Sequence, residues 1–305
     1  MNIEDKKHVH TSTSIRRYNR CPKLWSFYHV LNLKPPESIL EVNEAISIGS
    51  CIHECLEVVL KNRITGDNQL ELPFYENWKD RLLNYPDHIS SITEPIIDVF
   101  LDHTTILDEL RPIEVELELY ATMRNTENVP TRIGGKIDAI IEYDNKLWVM
   151  DHKSSKRMAT QETFELHQQF NMYCWLAMQH GFDINGIIVN AIRQPSIKKR
   201  KNESLKDYGD RIREDLLSRV TDRTFSKPPY FKVFRIFKSE ETIMSSMEDI
   251  RNAIHHMEHD SFFRKNSEGC FKYRRPCEFF DVCRGAVDTQ ALAFLDDEHP
   301  ELRLI

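Results

Sequence analysis

Asp138, Asp151 and Lys153 are the residues whose types and spacing most directly imply chemistry. They lie in Gly134-Gly135-Lys136-Ile137-Asp138-Ala139-Ile140-Ile141-Glu142-Tyr143, then Asp144-Asn145, then Lys146-Leu147-Trp148-Val149-Met150-Asp151-His152-Lys153. Two apolar, β-prone runs around a short polar step predict a β-hairpin. With Asp144-Asn145 as a two-residue turn, Tyr143 faces Lys146, Glu142 faces Leu147 and, farther out, Asp138 faces Asp151. Directly opposed side chains have Cβ atoms about 4.5–5.5 Å apart, where like charges repel. Lys153, two residues beyond Asp151, projects from the same face. Two carboxylates and a lysine on one sheet face are costly unless a cation sits between the acids. The functional reading is a divalent-metal site with a lysine beside it. The plain alternative is a solvated face carrying a chance Asp-x-Lys, and a bulge would break the register that the metal reading needs.

The elements that must position these residues follow from periodicity and punctuation. Thr11-Ser12-Thr13-Ser14 supplies N-cap candidates for a helix over 15–28. That helix carries Arg16, Arg17, Arg20 and Lys23 among Tyr18, Trp25, Phe27 and Tyr28, an interleaving that suits a phosphate backbone and exposed bases, or else a core face with a solvated one. A helix is expected over 44–63, with Ile48, Ile52, Cys55, Leu56 and Val59 buried and His53 near the start of that stripe. Alone, such a histidine reads most simply as a satisfied core or surface residue. Further helices are expected over 73–83 and 88–110. A strand over 113–123 places Ile113, Val115, Leu117 and Leu119 on one face and Glu114, Glu116 and Glu118 on the other, with Glu116 able to approach the acidic pair. This strand and the hairpin form a mixed sheet. A helix over 162–179 puts Gln169 and Tyr173 on one face. A buried strand over 186–192, a helix over 203–220, a strand over 230–237 and a helix over 239–259 complete the pattern. Lys198-Lys199-Arg200-Lys201 is a basic segment, either a solvated loop or a DNA contact.

At 305 residues, with 40% hydrophobic and 29% charged residues, the chain has the composition of a soluble globular protein. No apolar run approaches the roughly 20 residues that span a bilayer, and Met1 to His10 does not resemble a secretory signal. A net charge of −7 confines any nucleic-acid binding to local patches. Seven cysteines, an odd number, without a secretion signal point to a reducing compartment. Cys51, Cys55 and Cys174 read as buried core thiols. Cys270, Cys277 and Cys283 lie in one short loop-like run, where thiolates suit zinc or an iron–sulfur cluster. Their C-x6-C and C-x5-C spacings differ from the C-x2–4-C pairs of a zinc ribbon. A fourth ligand must come from elsewhere, and Cys21, followed by Pro22, is the best candidate. Such a centre clips the two ends of the chain together, and its ligation is folding free energy. The plain alternative is three free cysteines near a surface tail.

These residues, taken in order, resemble the PD-(D/E)XK nucleases of the RecB-like branch. The iron–sulfur forms found in helicase–nucleases, CRISPR-associated small nucleases and phage recombination-type exonucleases are the nearest in pattern. Ser12-x-Ser14-Ile15-x-x-Tyr18-x-x-Cys21-Pro22-x-x-Trp25 resembles the N-terminal motif with the first cluster cysteine. Gly49-x-x-x-His53 resembles the helical histidine motif, Gly135-x-x-Asp138 the first acidic motif and Asp151-His152-Lys153 the D/E-x-K motif. Gln169-x-x-x-Tyr173 resembles the helical glutamine–tyrosine motif. Cys270 and Cys277-x5-Cys283 resemble the C-terminal cluster motif, with a wider gap before Cys277 than is common.

The resemblance implies an α/β fold: a mixed central sheet flanked by helices, restriction-endonuclease-like, with helical insertions and a [4Fe-4S] cluster clipping the terminal regions. The implied segments are a flexible 1–10, an N-terminal helix with the first cluster cysteine at 11–36, a helical region carrying His53 at 37–112, the nuclease core at 113–260 and the cluster region and tail at 261–305. It implies metal-dependent hydrolysis of DNA phosphodiesters, acting on single strands or ends in recombination, repair or replication. Asp138, Asp151, His53 and the His152 carbonyl are implied ligands of Mg²⁺ or Mn²⁺, with Lys153 stabilising charge. Cys21, Cys270, Cys277 and Cys283 are the implied cluster ligands, and Gln169, Tyr173, Arg16, Arg17 and Tyr18 are implied to position DNA or the lysine. The expected setting is a bacterial cytoplasm, or a host cytoplasm if phage-encoded. No Gly-x-x-x-x-Gly-Lys-Ser/Thr motif is present, so a helicase or recombination partner would be a separate chain. Two rival readings remain: a non-catalytic DNA-binding subunit of the same fold, and a zinc-stabilised interaction module.

Overall fold

The computed structural model of the protein describes residues 9–35, 44–66, 76–220, 229–272, 275–289 and 292. The expected flexible N-terminus, Pro36 and the start of the helix expected over 73–83 lie largely outside these residues. The chain forms two compact units. The first comprises Met1–Glu41, Tyr120–Gly135 and Glu241–Ile305, and the second Val42–Leu119 and Lys136–Glu240.

The elements in chain order begin with β1 (Val9–His10), α1 (Ser12–Arg20), α2 (Pro22–His29) and α3 (Glu44–Gly66). They continue with a 3-10 turn (Trp78–Asn84), α4 (Asp87–His103), α5 (Ile106–Glu109), β2 (Arg111–Arg124), β3 (Pro130–Tyr143) and β4 (Lys146–Ser155). Next come α6 (Gln161–Glu165), α7 (Gln168–Gln179), β5 (Ile184–Arg193), α8 (Leu205–Val220), β6 (Phe231–Phe237) and α9 (Glu240–His259). A 3-10 turn (Ser267–Cys270), β7 (Phe271–Lys272), β8 (Arg275–Pro276) and α10 (Phe280–Cys283) follow.

The sheet of the second unit runs β3-β4-β5-β6, and β2 pairs with β3. β3 and β4 are antiparallel, β4 and β5 parallel, and β5 and β6 antiparallel, so the sheet is mixed and flanked by helices. The hairpin register is the one expected, from Tyr143↔Lys146 and Glu142↔Leu147 out to Ala139↔Met150 without interruption. Asp144 and Asn145 both take left-handed φ, 53° and 57°. Asp and Asn tolerate that conformation, and a turn with both central residues left-handed matches the twist of paired strands. The irregularity falls on the other side of β4, where the β5 register shifts between Leu147 and Val149.

The core of this unit joins Ile48, Ile52, Cys55 and Leu56 of α3 to Ile96 and Phe100 of α4 and to Ile188 of β5. Val59 packs against it partly buried, and Cys51, Cys55 and Cys174 are all fully buried thiols. Core burial at about 25 cal/mol per Å² of apolar surface is what holds α3 over the sheet.

Several helices are shorter than the periodicity suggests. The helix expected over 15–28 is two, because Cys21 is extended and Pro22 opens α2. The one expected over 88–110 breaks at Thr104, which is extended and turns its hydroxyl onto the Phe100 carbonyl. The one expected over 162–179 breaks at Leu166-His167. Strict alternation in β2 also fails. Glu116 takes a φ of 60°, and its half-buried carboxylate pairs with Lys136, unlike its exposed neighbours Glu114 and Glu118. Among the described residues, no helix is long and apolar enough to cross a membrane.

In the first unit β1 runs parallel to the start of β3, pairing Val9 with Arg132 and His10 with Ile133. Its second core gathers Leu24, Phe27 and Tyr28 of α2 with Cys277 and Phe279.

Candidate active site and thiol cavity

β4 carries Asp151, His152 and Lys153 at the end of an apolar run, and both Asp151 and His152 are 2% exposed. Asp138 crosses the hairpin: its Oδ2 accepts a hydrogen bond from the His152 main-chain N–H at 2.7 Å. His53, presented by α3, places Nδ1 3.4 Å from that same Oδ2. Lys153 Nζ lies 2.8 Å from Asp151 Oδ2 and 3.2 Å from Gln169 Oε1 on α7, and the Gln169 amide donates onward to the Tyr173 hydroxyl at 2.7 Å. The ammonium also sits 5.4 Å from the centre of the Phe170 ring. The structure thus brings His53, Asp138, Asp151, His152, Lys153, Gln169 and Tyr173 together within the second unit. Tyr173 is buried and its hydroxyl is engaged by Gln169, so this pair touches the lysine.

Two buried carboxylates dominate the electrostatics, and their shifts run in opposite directions. Burial opposes ionisation of Asp138, but the His53 imidazole and the His152 N–H outweigh it and hold the carboxyl well below the usual range. Burial raises Asp151 to about 6, helped by the neighbouring Asp138 charge and opposed by Lys153. Burial lowers His53, yet the Asp138 charge and hydrogen bond win and the net shift is upward. His152 is pushed down to about 4 by burial. Its Nδ1 accepts from the Asn190 amide at 3.0 Å, which leaves the proton on Nε2. That buried Nε2 has no hydrogen-bond partner among the described residues. Two hard carboxylates with one imidazole fit Mg²⁺ or Mn²⁺, the imidazole favouring the latter.

Asn190 and Phe170 were not singled out from the sequence. A lone asparagine inside the apolar run of β5 was the available signal for the first, since a buried amide needs a partner. Phe170 had none, because it reads as one more core aromatic of α7.

In the first unit, Cys21, Cys270, Cys277 and Cys283 line one cavity together with Leu24, Phe27 and Phe280. All four are free thiols. The N-terminal motif shapes the corner that carries Cys21. The Trp25 indole donates to Ser14 at 2.9 Å, and the Tyr18 ring meets Trp25 edge-on at 5.7 Å. Opposite, Gly269 passes so close to Arg20 that a Cβ would lie 2.5 Å from the Arg20 carbonyl oxygen, and Arg20 Nε donates to the Gly269 oxygen at 3.0 Å. Cys21 Sγ accepts from the Asn266 N–H at 3.4 Å. Burial pushes the Cys277 thiol up to about 12 and raises Cys283 as well, so thiolates here need a bound cation. Four cysteines lining one cavity suit a soft, thiophilic centre.

Of Arg16, Arg17 and Tyr18 on α1, expected to position DNA, Arg16 alone is exposed. Arg17 is buried against His29 and over the Tyr28 ring, 3.8 Å from its centre. Tyr18 is buried and donates to Asp260 at 2.7 Å. The segment 198–201 is exposed and lies outside any helix or strand.

A sequence model of the PD-(D/E)XK nuclease superfamily matches residues 10–284. No curated protein matches the chain. Among solved structures, one described as "Crystal structure of SSO0001" aligns over 76% of this chain and 97% of that chain, at 20% identity and a TM-score of 0.31. A score that low carries no argument about the fold.

Proposed function

The chain belongs to the PD-(D/E)XK nuclease superfamily, and on that premise we propose that it is a divalent-metal-dependent deoxyribonuclease of the RecB-like iron–sulfur branch. Its proposed substrate is single-stranded DNA or DNA ends, in recombination, repair or replication, as an exonuclease. The observation that carries this reading is a buried acidic pair across one hairpin, in which Asp138 meets His53 and the His152 N–H while Asp151 meets Lys153 and feels the Asp138 charge.

Asp138, Asp151 and His53, with the His152 carbonyl, would hold the Mg²⁺ or Mn²⁺. A metal ion bound there lowers the pKa of a coordinated water and polarises the phosphoryl oxygen. Asp138 anchors the hairpin end of the site, because one of its oxygens is already spent on the β4 backbone. Lys153 offers its ammonium to charge developing on the phosphoryl oxygens. Gln169 and Phe170 hold that ammonium in place, and Tyr173 orients Gln169. Arg16 and the 198–201 segment are the proposed phosphate contacts, while Arg17 and Tyr18 hold the corner around Cys21. Cys21, Cys270, Cys277 and Cys283 would carry a [4Fe-4S] cluster whose contribution is structural.

The test is digestion of end-labelled single- and double-stranded DNA with Mg²⁺ and with Mn²⁺. Asp151→Ala and Lys153→Ala are each expected to lose about 100-fold or more in rate. Cleavage by both variants at the wild-type rate sinks the assignment.

A further inference from the structure

A second group of metal-binding residue types lies in the first unit, apart from the thiols. His255 and His259 are one helical turn apart on α9 and share a face. Glu127, in the connection between β2 and β3, reaches the same face. One ligand atom from each of Glu127, His255 and His259 lies within 4.8 Å of the other two.

Each side chain has its own support. Asn125 folds the connection: its Oδ1 accepts from the N–H groups of Glu127 at 3.0 Å and Val129 at 2.9 Å, and Asn128 takes a left-handed φ of 64°. The Asn125 amide donates to Glu258 at 3.2 Å, and Glu258 also accepts from the Thr131 hydroxyl at 2.6 Å. The connection is therefore tied to α9 at the residue next to His259, which aims Glu127 at the histidine pair. His259 Nδ1 lies 2.8 Å from the His255 carbonyl oxygen. Donating its proton there leaves a lone pair on Nε2, which faces Glu127 Oε2 at 3.3 Å. A lone pair against a carboxylate oxygen is repulsive unless something positive lies between them. The two imidazoles stack at 4.5 Å, and His255 Nδ1 is buried with no hydrogen-bond partner among the described residues.

We propose that Glu127, His255 and His259 form a binding site for a divalent transition-metal ion of the Zn²⁺ class, with one coordination position left open. Imidazole donors select this class over Mg²⁺ or Ca²⁺. Three protein ligands leave a fourth tetrahedral position for water or an incoming donor. A backbone carbonyl on the far nitrogen of a ligand histidine is the outer contact that fixes its tautomer and orientation. The site shares no residue with the hairpin acids or the thiols and does not depend on the nuclease reading.

The test compares full-length wild-type protein with Glu127→Gln and His255→Ala/His259→Ala, each prepared alike and dialysed against zinc. Wild type is expected to hold one more zinc per chain than the double variant, and Glu127→Gln to bind at least about tenfold more weakly. Asn125→Ala, which removes no ligand, is expected to weaken binding about 10–100-fold. Asp138→Asn/Asp151→Asn is expected to keep the ion. Cobalt at this site should show nitrogen and oxygen ligation without sulfur charge-transfer bands. Equal zinc content in wild type and double variant overturns the proposal, as does saturation only at millimolar free zinc or a sulfur-ligated cobalt spectrum for the extra ion. If the double variant unfolds, Glu127→Gln and His259→Gln, both at exposed positions, carry the same comparison.

Discussion

Asp138 and Asp151 are the same chemical group pushed in opposite directions by a few ångströms of context. Asp138 has His53 and a backbone N–H on one oxygen; Asp151 has burial and a like charge against it, relieved first by Lys153 and then by His53. The consequences for pH have opposite signs. Asp151 is raised from 3.8 to about 6, so its share of metal-free stability is intact below pH 3.8 and is lost as pH rises through 6. Asp138 is lowered, so its share is present at neutral pH and lost as pH falls below the ordinary carboxylate range. Asp151→Asn is therefore expected to stabilise the metal-free protein at pH 7 by roughly 1–3 kcal/mol, with the advantage shrinking toward pH 4. Urea unfolding in chelator at both pH values checks this, and an unchanged midpoint at pH 7 counts against it. Ion binding needs both acids charged, so affinity for Mn²⁺ should fall steeply below about pH 6, readable by calorimetry. Gln169→Leu removes the oxygen that holds Lys153 from α7. A catalytic rate lower by roughly 10–100-fold with little change in KM is expected, measured on a short labelled strand.

At the scale of elements, what could be read in advance was whatever local rules dictate. The hairpin was legible because two apolar, β-prone runs around an Asp-Asn step specify paired strands and a left-handed turn together. α3 was legible because its apolar stripe, Ile48 to Val59, repeats at helical spacing over about three turns. Breaks were less so. Cys21-Pro22 carries a stop signal, yet the aromatic and basic pattern runs through it. The turn at Thr104 depends on a hydroxyl finding a carbonyl one turn back. Glu116 could be marked as the strand's glutamate able to approach the acidic pair, but its left-handed backbone and its pairing with Lys136 could not be read. The 3-10 turn Ser267–Cys270 lacks room for a side chain at Gly269, where a Cβ meets the Arg20 carbonyl at 2.5 Å. Gly269→Ala is expected to cost roughly 1–3 kcal/mol and to lower the metal retained by the thiols, measured as iron and zinc per chain beside the urea midpoint.

For the whole molecule, the two units have separate cores, and each is assembled from segments distant in sequence. That interleaving was not legible, because hydrophobic pattern reports which face is buried and not which partner covers it. The exception was Cys21 with Cys270, Cys277 and Cys283, where residue type alone links positions far apart. The histidine pair of α9 was legible as a spacing but not as a site, since Glu127 joins it only through the fold. If thiolate ligation contributes to the first unit's stability, Cys21→Ser should destabilise that unit selectively. Amide exchange should quicken in α1, α2 and the residues around Cys277, while β4 and β5 of the second unit keep their protection. Uniform loss across both units would count against it.

The distance along the chain from Cys21 to Cys283 is 262 positions (283 − 21). At translation speeds of about 5–20 residues per second, the first sulfur waits roughly 10–50 s for the last. Through that interval the greasy side of α2 has no Phe279 to rest on. Newborn copies should thus lean on holding chaperones until the final stretch emerges, and a centre held by all four thiols, as proposed, would be completed last.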